Sequence, residues 1–317
     1  MMRTVGCAYL VAIQSQSFPK KLMDKRSIPT PVESDRTGAW MDAGTVAHYL
    51  KILDVSRKSP SPGALTELVA AHLTRVPFEN ISKLYYKKRL GLAYLPTIGM
   101  YLDGIEQRHF GGTCYANNFY FYSLLASLGY RVKLCAADMA TPDVHAVSMV
   151  TVGGHDYLVD TGYAAPFLSP LPRDLRSDHV VALGRDRYVL RPQDANSCSR
   201  LELYRDGMLK HGYLAKPGAK KIEDFRRVIG DSFRPDATFL NSILLARFYP
   251  VRSIVIHNLT LIESRGEKSV VYPLQGSGTV VAAIHENFEM PRDVVAEAIA
   301  GLNELQDAWG DPFLGGR

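Results

Sequence analysis

The sequence predicts an α+β protein in which helices come first, strands dominate the middle, and the two mix at the end. Between residues 41 and 129, apolar residues recur at helical intervals, as on the buried face of an amphipathic helix. From Tyr130 to about residue 215 the pattern changes to short apolar runs typical of strands. Residues 216–317 combine strand-like runs with a closing helix. We predict three domains with these boundaries, preceded by a poorly ordered extension at residues 1–40.

The helical part opens with two helices that are separated by a Ser/Pro-rich stretch at residues 59–63. The second helix ends where Pro77 disfavours helical backbone at Val76. A later helix begins at Cys114 and stops before Gly129, because a glycine commonly follows the end of a helix. The apolar stripe of the second helix consists of Leu65, Leu68, Val69, Leu73 and Val76.

The middle part contains six strand-like runs, and the Gly-Gly pair at residues 153 and 154 predicts a tight hairpin turn. Beyond it we predict helical or irregular structure at 217–250, a strand over Arg252–Glu263, another over Ser269–Pro273, and a helix from Pro291 to about Trp309. The six runs are Arg131–Ala136, Val144–Val152, Tyr157–Thr161, Val180–Leu183, Tyr188–Leu190 and Leu201–Tyr204.

The composition is that of an ordinary globular protein, with 46% apolar and 22% charged residues and a formal charge of +5. Four scattered cysteines argue against a disulfide framework, and their spacing argues against a metal site. The chain has no arginine-rich, aromatic-interleaved stripe of the kind that binds nucleic acid. The apolar stretch Val5–Ile13 is too short to cross a bilayer and lacks a cleavage site. We expect a cytoplasmic protein with no metal, nucleic-acid or membrane partner.

Cys114 follows two glycines and opens a helix, where the helix dipole and unpaired amides favour a thiolate. The glycines let a substrate approach the main chain, and the Cys114 amide is placed to donate to an oxyanion. The alternative is a small buried cysteine beneath a tight turn, which is common for free cysteines. We predict that Cys114 is a nucleophile and that Gly112 and Thr113 contact the substrate.

His145 begins a strand and Asp160 ends the next one. If the Gly-Gly pair is the whole loop, Val152 pairs with His155, and Asp160 shares a face with His145, about 7–8 Å away between backbones. A four-residue loop would keep the shared face at a greater separation. Alone, either residue suits a structural role. Together they can orient an imidazole toward the Cys114 thiol, so the register predicts a Cys-His-Asp triad.

Four motifs occur in order along the chain: Val-Pro-Phe-Glu-Asn at residues 76–80, Gly-Gly-Thr-Cys at 111–114 with Asn118 beyond it, His145 in a strand, and Val-Asp-Thr-Gly-Tyr at 159–163. In order and approximate spacing they resemble the arylamine N-acetyltransferases. The resemblance covers residues 41–175 well and continues more loosely to the end. It implies a helical bundle, a β-barrel and an α/β lid around a papain-like cysteine-transferase core.

The resemblance also implies a ping-pong reaction. Cys114 attacks the thioester of acetyl-coenzyme A, or of another acyl-coenzyme A, while His145 accepts the thiol proton and Asp160 orients His145. Coenzyme A leaves, and an aromatic amine, a hydrazine or a natural-product acceptor then attacks the acyl-cysteine. Phe78 matches a family position that lines the acceptor pocket, and Tyr163 matches an aromatic position in the loop after the aspartate.

Three positions depart from the family pattern. Phe110 stands where the family usually has arginine, Ala116 where it tends to have glutamate or glutamine, and Ala164-Ala165 where it favours glycine. These changes support a second hypothesis, an amide synthase-like acyltransferase of natural-product biosynthesis with a bulky, non-acetyl acyl donor. The remaining alternatives are a Cys-His-Asp thiol hydrolase, in which the Val-Pro-Phe-Glu-Asn segment has no explanation, and a non-enzymatic binding module.

Overall fold

The computed structural model describes residues 41–302, so the extension predicted at residues 1–40 lies outside the described part. Helices come first, interrupted by the short strand β1. The elements are α1 Ala43–Leu53, α2 Pro62–Arg75, β1 Phe78–Glu79, α3 Ile81–Leu90, α4 Ile98–Arg108 and α5 Cys114–Ser127. None of the helices within residues 41–302 combines the length and apolar character needed to cross a membrane.

Local sequence explains where these helices begin and end. Asp42, Ser61 and Thr97 cap α1, α2 and α4, because each side chain accepts a hydrogen bond from a backbone amide of the first turn. As predicted, α2 ends before the Val-Pro pair and α5 ends before Gly129. The sequence did not reveal α4 as a separate helix.

An eight-stranded antiparallel sheet follows and curves into a nearly closed barrel. The strands lie in the order β5-β4-β3-β2-β9-β8-β7-β6. Their bounds are β2 Arg131–Asp138, β3 His145–Val152, β4 His155–Val159, β5 Leu171–Pro172, β6 His179–Leu183, β7 Asp186–Leu190, β8 Ser199–Arg205 and β9 Met208–Ala219. A single apolar core runs from the helices into the barrel interior.

The hairpin between β3 and β4 has the predicted register. Val152 pairs with His155, which leaves Gly153 and Gly154 as the whole loop. Both glycines have positive φ, 61° and 81°, as a two-residue hairpin turn of this kind requires. The register carries residue 160, just beyond the end of β4, to the same face of the sheet as His145.

The last part of the described chain forms a second sheet with helices on one face. Five antiparallel strands lie in the order β1-β10-β11-β12-β13. The bounds are β10 Leu244–Tyr249, β11 Arg252–His257, β12 Thr260–Arg265, β13 Lys268–Pro273, α6 Arg226–Asp231, α7 Gly276–Phe288 and α8 Arg292–Ile299. Phe78 of β1 pairs with Ala246, so the helical part supplies the edge strand of this sheet. The α+β class is confirmed.

Two predictions for this region are wrong. Residues 217–250 contain the end of β9 and all of β10, in addition to α6 and short 3₁₀ turns. Gly212 and Pro217 hide β9, because both residue types are depleted in strands. The long strand predicted over Arg252–Glu263 is a hairpin, since Asn258 has φ 48° and reverses the chain between β11 and β12.

The closing helix is shorter than predicted. α8 ends at Ile299, well before residue 309, and residues 303–309 lie outside the described part of the chain. The sequence also did not reveal α7, whose first turn contains two glycines. α7 and α8 pack with α3 on the second sheet and form a separate apolar core with it.

Candidate active site

The loop before Cys114 is fixed to β1 by buried polar groups. The Glu79 carboxylate accepts hydrogen bonds from the backbone amides of Gly111, at 3.0 Å, and Ser82, at 2.8 Å. The Glu79 amide donates to the Gly112 carbonyl oxygen at 3.1 Å. Burial raises the pKa of Glu79, and these hydrogen bonds partly oppose that shift. Cys114 is therefore presented at the first position of α5 by a loop held at several points.

Asn80, the last residue of the Val-Pro-Phe-Glu-Asn motif, ties the helical part to the second sheet. Its amide nitrogen donates to the carbonyl oxygens of Phe239, at 2.9 Å, and Ser242, at 2.6 Å. Its side-chain oxygen accepts from the Leu244 amide at 2.8 Å. Adjacent residues of this motif thus serve two purposes: Glu79 holds the loop at the cysteine, and Asn80 holds the sheet that faces it.

His145 and Asp160 meet inside the protein. His145 Nε2 lies 2.7 Å from Asp160 Oδ2, and both residues are only 2% exposed. Burial disfavours the protonated imidazole. The charge and hydrogen bond of Asp160, together with the interaction with Cys114, outweigh burial and raise the pKa of His145 to about 10. The Cys114 sulfur is thus among the groups that interact with the imidazole of His145.

Asn118, one turn after Cys114 on α5, connects this helix to the strand that carries His145 and to Asp160. Its side-chain nitrogen donates to the Ala146 carbonyl at 2.6 Å and to Asp160 Oδ1 at 2.9 Å. Its side-chain oxygen accepts from the Thr161 amide at 2.8 Å. The sequence marked Asn118 as part of a motif without assigning it a role. The sequence signal that could have indicated its role is its position four residues after Cys114, on the same face of the helix.

The loop after Asp160 packs directly on the backbone of Cys114. The Gly162 amide donates to Asp160 Oδ1 at 3.0 Å. A Cβ atom at Gly162 would lie 2.7 Å from the carbonyl oxygen of Cys114 and 2.6 Å from the side-chain nitrogen of Asn118. Only glycine permits this approach, because it has no Cβ atom and the loop can therefore contact the Cys114 backbone.

Cys114 and His145 open onto a cleft between the barrel and the second sheet, of about 1310 Å³ when the solvent at its open side is included. One wall is a row of residues paired across all five strands of that sheet: Phe78, Ala246, Val255, Ile262 and Val271. A second row beside it contains Phe248, Ser253, Ser264 and Ser269. The opposite wall includes Leu183, Asp186, Tyr188, Leu203 and Arg205 of the barrel.

Of the predicted substrate contacts, Phe78 and Tyr163 line this cleft together with Cys114 and His145. Gly112 and Thr113 instead line a smaller cavity, of about 500 Å³, behind the cysteine loop. The structure therefore brings the two aromatic residues to the cysteine and places the two loop residues on its other side.

A second histidine, His211 on β9, lines the cleft and was not predicted. Its Nδ1 atom is hydrogen-bonded to the Tyr163 hydroxyl, and the ring of Tyr163 lies 5.7 Å from that of His145. Burial, followed by the positive charge of His145, lowers the pKa of His211 to about 4. His211 is thus neutral at physiological pH. Because β9 itself was hidden in the sequence, no pattern placed this histidine near the site.

Comparison with known proteins defines the class of enzyme. A family model described as N-acetyltransferase matches residues 63–295, which cover most of the chain and every element of the site. The protein is an acyltransferase. It belongs to this N-acetyltransferase family, as a divergent member, and the predicted resemblance is confirmed.

Curated relatives match part of the chain at low identity. The proansamycin X synthase of Amycolatopsis mediterranei (strain S699) is 27% identical over 187 residues, which cover 54% of this chain and 70% of the synthase. The arylamine N-acetyltransferase of Mycolicibacterium smegmatis is 32% identical over 124 residues, which cover 36% of this chain and 44% of that enzyme. The chain thus spans less than half the length of the second relative.

Solved structures match over a larger part. The structure of Mycobacterium marinum arylamine N-acetyltransferase in complex with CoA superposes with a TM-score of 0.67 at 23% identity. The match covers 80% of this chain and 98% of the other. The helices, the barrel and the second sheet therefore follow a fold already seen in that family.

Proposed function

We propose that the protein transfers an acetyl or larger acyl group from coenzyme A to an aromatic amine or hydrazine through an acyl-Cys114 intermediate. The observation that carries this proposal is the placement of Cys114 at a helix start, in one cleft with a His145 imidazole that is bound to Asp160. Family membership supports it, as do the names of two similar proteins, one an arylamine N-acetyltransferase and one a structure in complex with CoA.

In the first half-reaction, the Cys114 sulfur attacks the carbonyl carbon of the thioester. A new C–S bond forms to Cys114 and the C–S bond to coenzyme A breaks. Protonated His145 gives its proton to the departing coenzyme A sulfur. The backbone amide of Cys114, at the start of α5, has no acceptor within the helix and can donate a hydrogen bond to the oxyanion.

In the second half-reaction, the amine nitrogen attacks the acyl-cysteine carbonyl. A C–N bond forms, the C–S bond to Cys114 breaks, and the sulfur leaves as a thiolate. His145, neutral after the first half-reaction, accepts the proton that the amine loses. Asp160 holds the imidazole in place throughout by its hydrogen bond to Nε2. The free enzyme is restored with His145 protonated.

Intact-mass spectrometry tests this proposal. Incubation with acetyl-coenzyme A should add one acetyl group to the protein, and an arylamine should remove it. Cys114→Ala should show no adduct. If neither acetyl- nor a longer acyl-coenzyme A labels the wild-type protein at Cys114, the proposal is wrong. If water removes the acyl group as fast as the amine does, the protein is a thiol hydrolase.

The cleft favours a second candidate within the same chemistry, the transfer of a bulky acyl group. Its apolar wall extends across all five strands of the second sheet, from Phe78 to Val271. An acetyl group and an aniline would contact only a small part of this wall. One relative is named as a synthase of proansamycin X. Comparing kcat/KM for acetyl-, butyryl- and decanoyl-coenzyme A separates the two candidates, since a larger-acyl enzyme should prefer the longest donor.

A further inference from the structure

Helix α3 carries a lysine that is almost entirely inside the protein. Lys83 is 7% exposed, and its Nζ atom donates to the Ser232 hydroxyl at 2.8 Å. The ammonium also lies 4.0 Å above the centre of the Phe233 ring. Within residues 41–302, no carboxylate lies within ion-pair distance of this lysine. A hydroxyl and an aromatic face are weak compensation for a buried cation.

The neighbouring charged residues do not offset the free-energy cost of burying the Lys83 ammonium. Lys87, one turn later on α3, adds a second positive charge beside Lys83. The carboxylate of Glu79, four residues earlier, accepts hydrogen bonds from the backbone amides of Gly111 and Ser82. A buried charge without an ionic partner is a candidate functional group, because a well-packed hydrophobic residue in its place is often at least as stable.

Lys83 lies behind the loop that presents Cys114. It lines the smaller cavity together with Gly111, Gly112 and Thr113. The Phe233 ring beneath its ammonium belongs to the apolar cluster against which Cys114 packs. Burial lowers the pKa of Lys83 to about 8, and the charge of the Cys114 sulfur opposes that shift. Of the charges that act on Lys83, that of the Cys114 sulfur is thus the one that favours the protonated lysine.

We propose that Lys83 is an electrostatic positioning residue, whose buried ammonium stabilises the Cys114 thiolate from the side of the loop opposite to His145. This inference rests on the proposed role of Cys114. It also accounts for the apolar residue before the glycines, Phe110, which packs on Tyr85 and Tyr86 and brings no charge to the loop. The cation is supplied from α3 instead.

The groups that face Cys114 come from several elements. β3 contributes His145, and Asp160 acts through it. α5 contributes Tyr115, whose pKa is raised by burial and by the charges of Cys114 and Asp143, so it stays neutral. α3 contributes Lys83, with Lys87 behind it. Positive charge thus reaches the sulfur from two sides, from His145 in the cleft and from Lys83 behind the loop.

The pH dependence of Cys114 alkylation by iodoacetamide, measured on the full chain, tests the proposal. Lys83→Met removes the charge and keeps an unbranched apolar side chain. We expect its alkylation midpoint to move up by about one pH unit, because an opposite charge nearby favours the ionised form by about that much. Lys83→Arg should keep the wild-type midpoint. Lys87→Met, on the same helix but farther from the Phe233 ring, is the matched control and should also keep it.

Thermal unfolding establishes that each variant is folded, and we expect Lys83→Met to be at least as stable as the wild type, because an unpaired charge leaves the interior. An unchanged midpoint in folded Lys83→Met overturns the proposal, as does an equal shift in Lys87→Met. If Lys83→Met does not fold, a shifted midpoint in Lys83→Arg has the same consequence. Failure of the wild-type Cys114 to react at any pH would instead refute the proposed nucleophile.

Discussion

His145 and Asp160 make the contact on which the proposed mechanism depends, and a second histidine–aspartate pair with similar geometry lies at the surface. His155 Nδ1 lies 2.7 Å from Asp174 Oδ2, the same distance as in the buried pair, but both of these side chains are more than half exposed. Of these four residues, only His145 lines the cleft with Cys114. The surface pair is therefore a matched control for the proposed catalytic role of the buried hydrogen bond.

Asp160→Asn should lower kcat for arylamine acylation by about 10⁴-fold, the effect of the same change in a serine-protease triad, because the imidazole loses the charge that stabilises its protonated form. Asp174→Asn should leave kcat within about twofold of the wild type, since exposed pairs contribute little. Steady-state assays with acetyl-coenzyme A and an aniline give both values. If the two substitutions change kcat equally, Asp160 has no special role in the proposed mechanism.

The raised pKa of His145 predicts how stability changes with pH. Its folded value of about 10 lies above its ordinary value of 6.5, so protonated His145 stabilises the folded state fully below pH 6.5. That contribution should disappear as pH rises from 6.5 through 10. Urea unfolding of the wild type and His145→Gln across this range measures it as a difference that shrinks with pH. A difference that grows with pH would contradict the assignment.

The positions of single residues in the candidate site could be predicted only where sequence neighbours or one hairpin related them. Cys114 was visible from its glycines and helix start, and His145 and Asp160 from the register around one turn. Asn118 and Lys83 act across distances set by tertiary packing: Asn118 bonds to residues 28 and 42 positions away, and Lys83 to one 149 positions away. No local pattern encodes such pairings.

At the scale of elements, the loop after β4 lies directly against the start of α5. Gly162→Ala should lower kcat by at least about tenfold, because its Cβ must displace the backbone of Cys114 or the side chain of Asn118. The control is Gly278→Ala in α7, where nothing lies within 4 Å of a new Cβ, and which should raise stability slightly.

We therefore expect Gly162→Ala to lower activity, and Gly278→Ala to keep activity and raise the midpoint of thermal unfolding slightly. The element that tolerates alanine gains stability and keeps activity, whereas the loop loses activity even if the protein stays folded. Retention of full activity by Gly162→Ala would mean that this contact does not position the cysteine.

Elements were predictable where one periodicity persists, as in α2 and the β3–β4 hairpin. They were missed where glycine or proline weakens the pattern, as in β9 and at the start of α7, because pairing with β2 and β8, or packing with α8 on the second sheet, overrides local preference. The three-part order was predicted from these patterns, while the domain boundaries at residues 129 and 215 stay a prediction.

At the scale of the whole molecule, the cleft exists because two sheets face each other with the proposed nucleophile at one end. Val271 ends the paired row that begins at Phe78; it lines the cleft and is 37% exposed, whereas its neighbour Val270 is on the other face of β13 and 51% exposed. Two adjacent residues of β13 therefore lie on opposite faces of the sheet, one facing the cleft and one facing away from it.

Val271→Phe should lower kcat/KM for decanoyl-coenzyme A by about 10-fold or more and leave that for acetyl-coenzyme A nearly unchanged, since it fills space that only a long acyl group needs. Val270→Phe should change neither value. Steady-state kinetics with both donors makes the comparison. If Val271→Phe reduces both donors equally, the outer end of the cleft holds coenzyme A or the amine rather than the acyl chain.

The Gly153-Gly154 hairpin has a consequence for how this chain can change in evolution. One residue inserted within β4 would turn Asp160 to the opposite face of the sheet and separate it from His145, while two inserted residues would move it about 7 Å along the strand. Both outcomes abolish the 2.7 Å contact. Natural variants of this chain should therefore differ in length at the turn itself, and the strands on either side should keep a constant number of residues between the histidine or the aspartate and that turn.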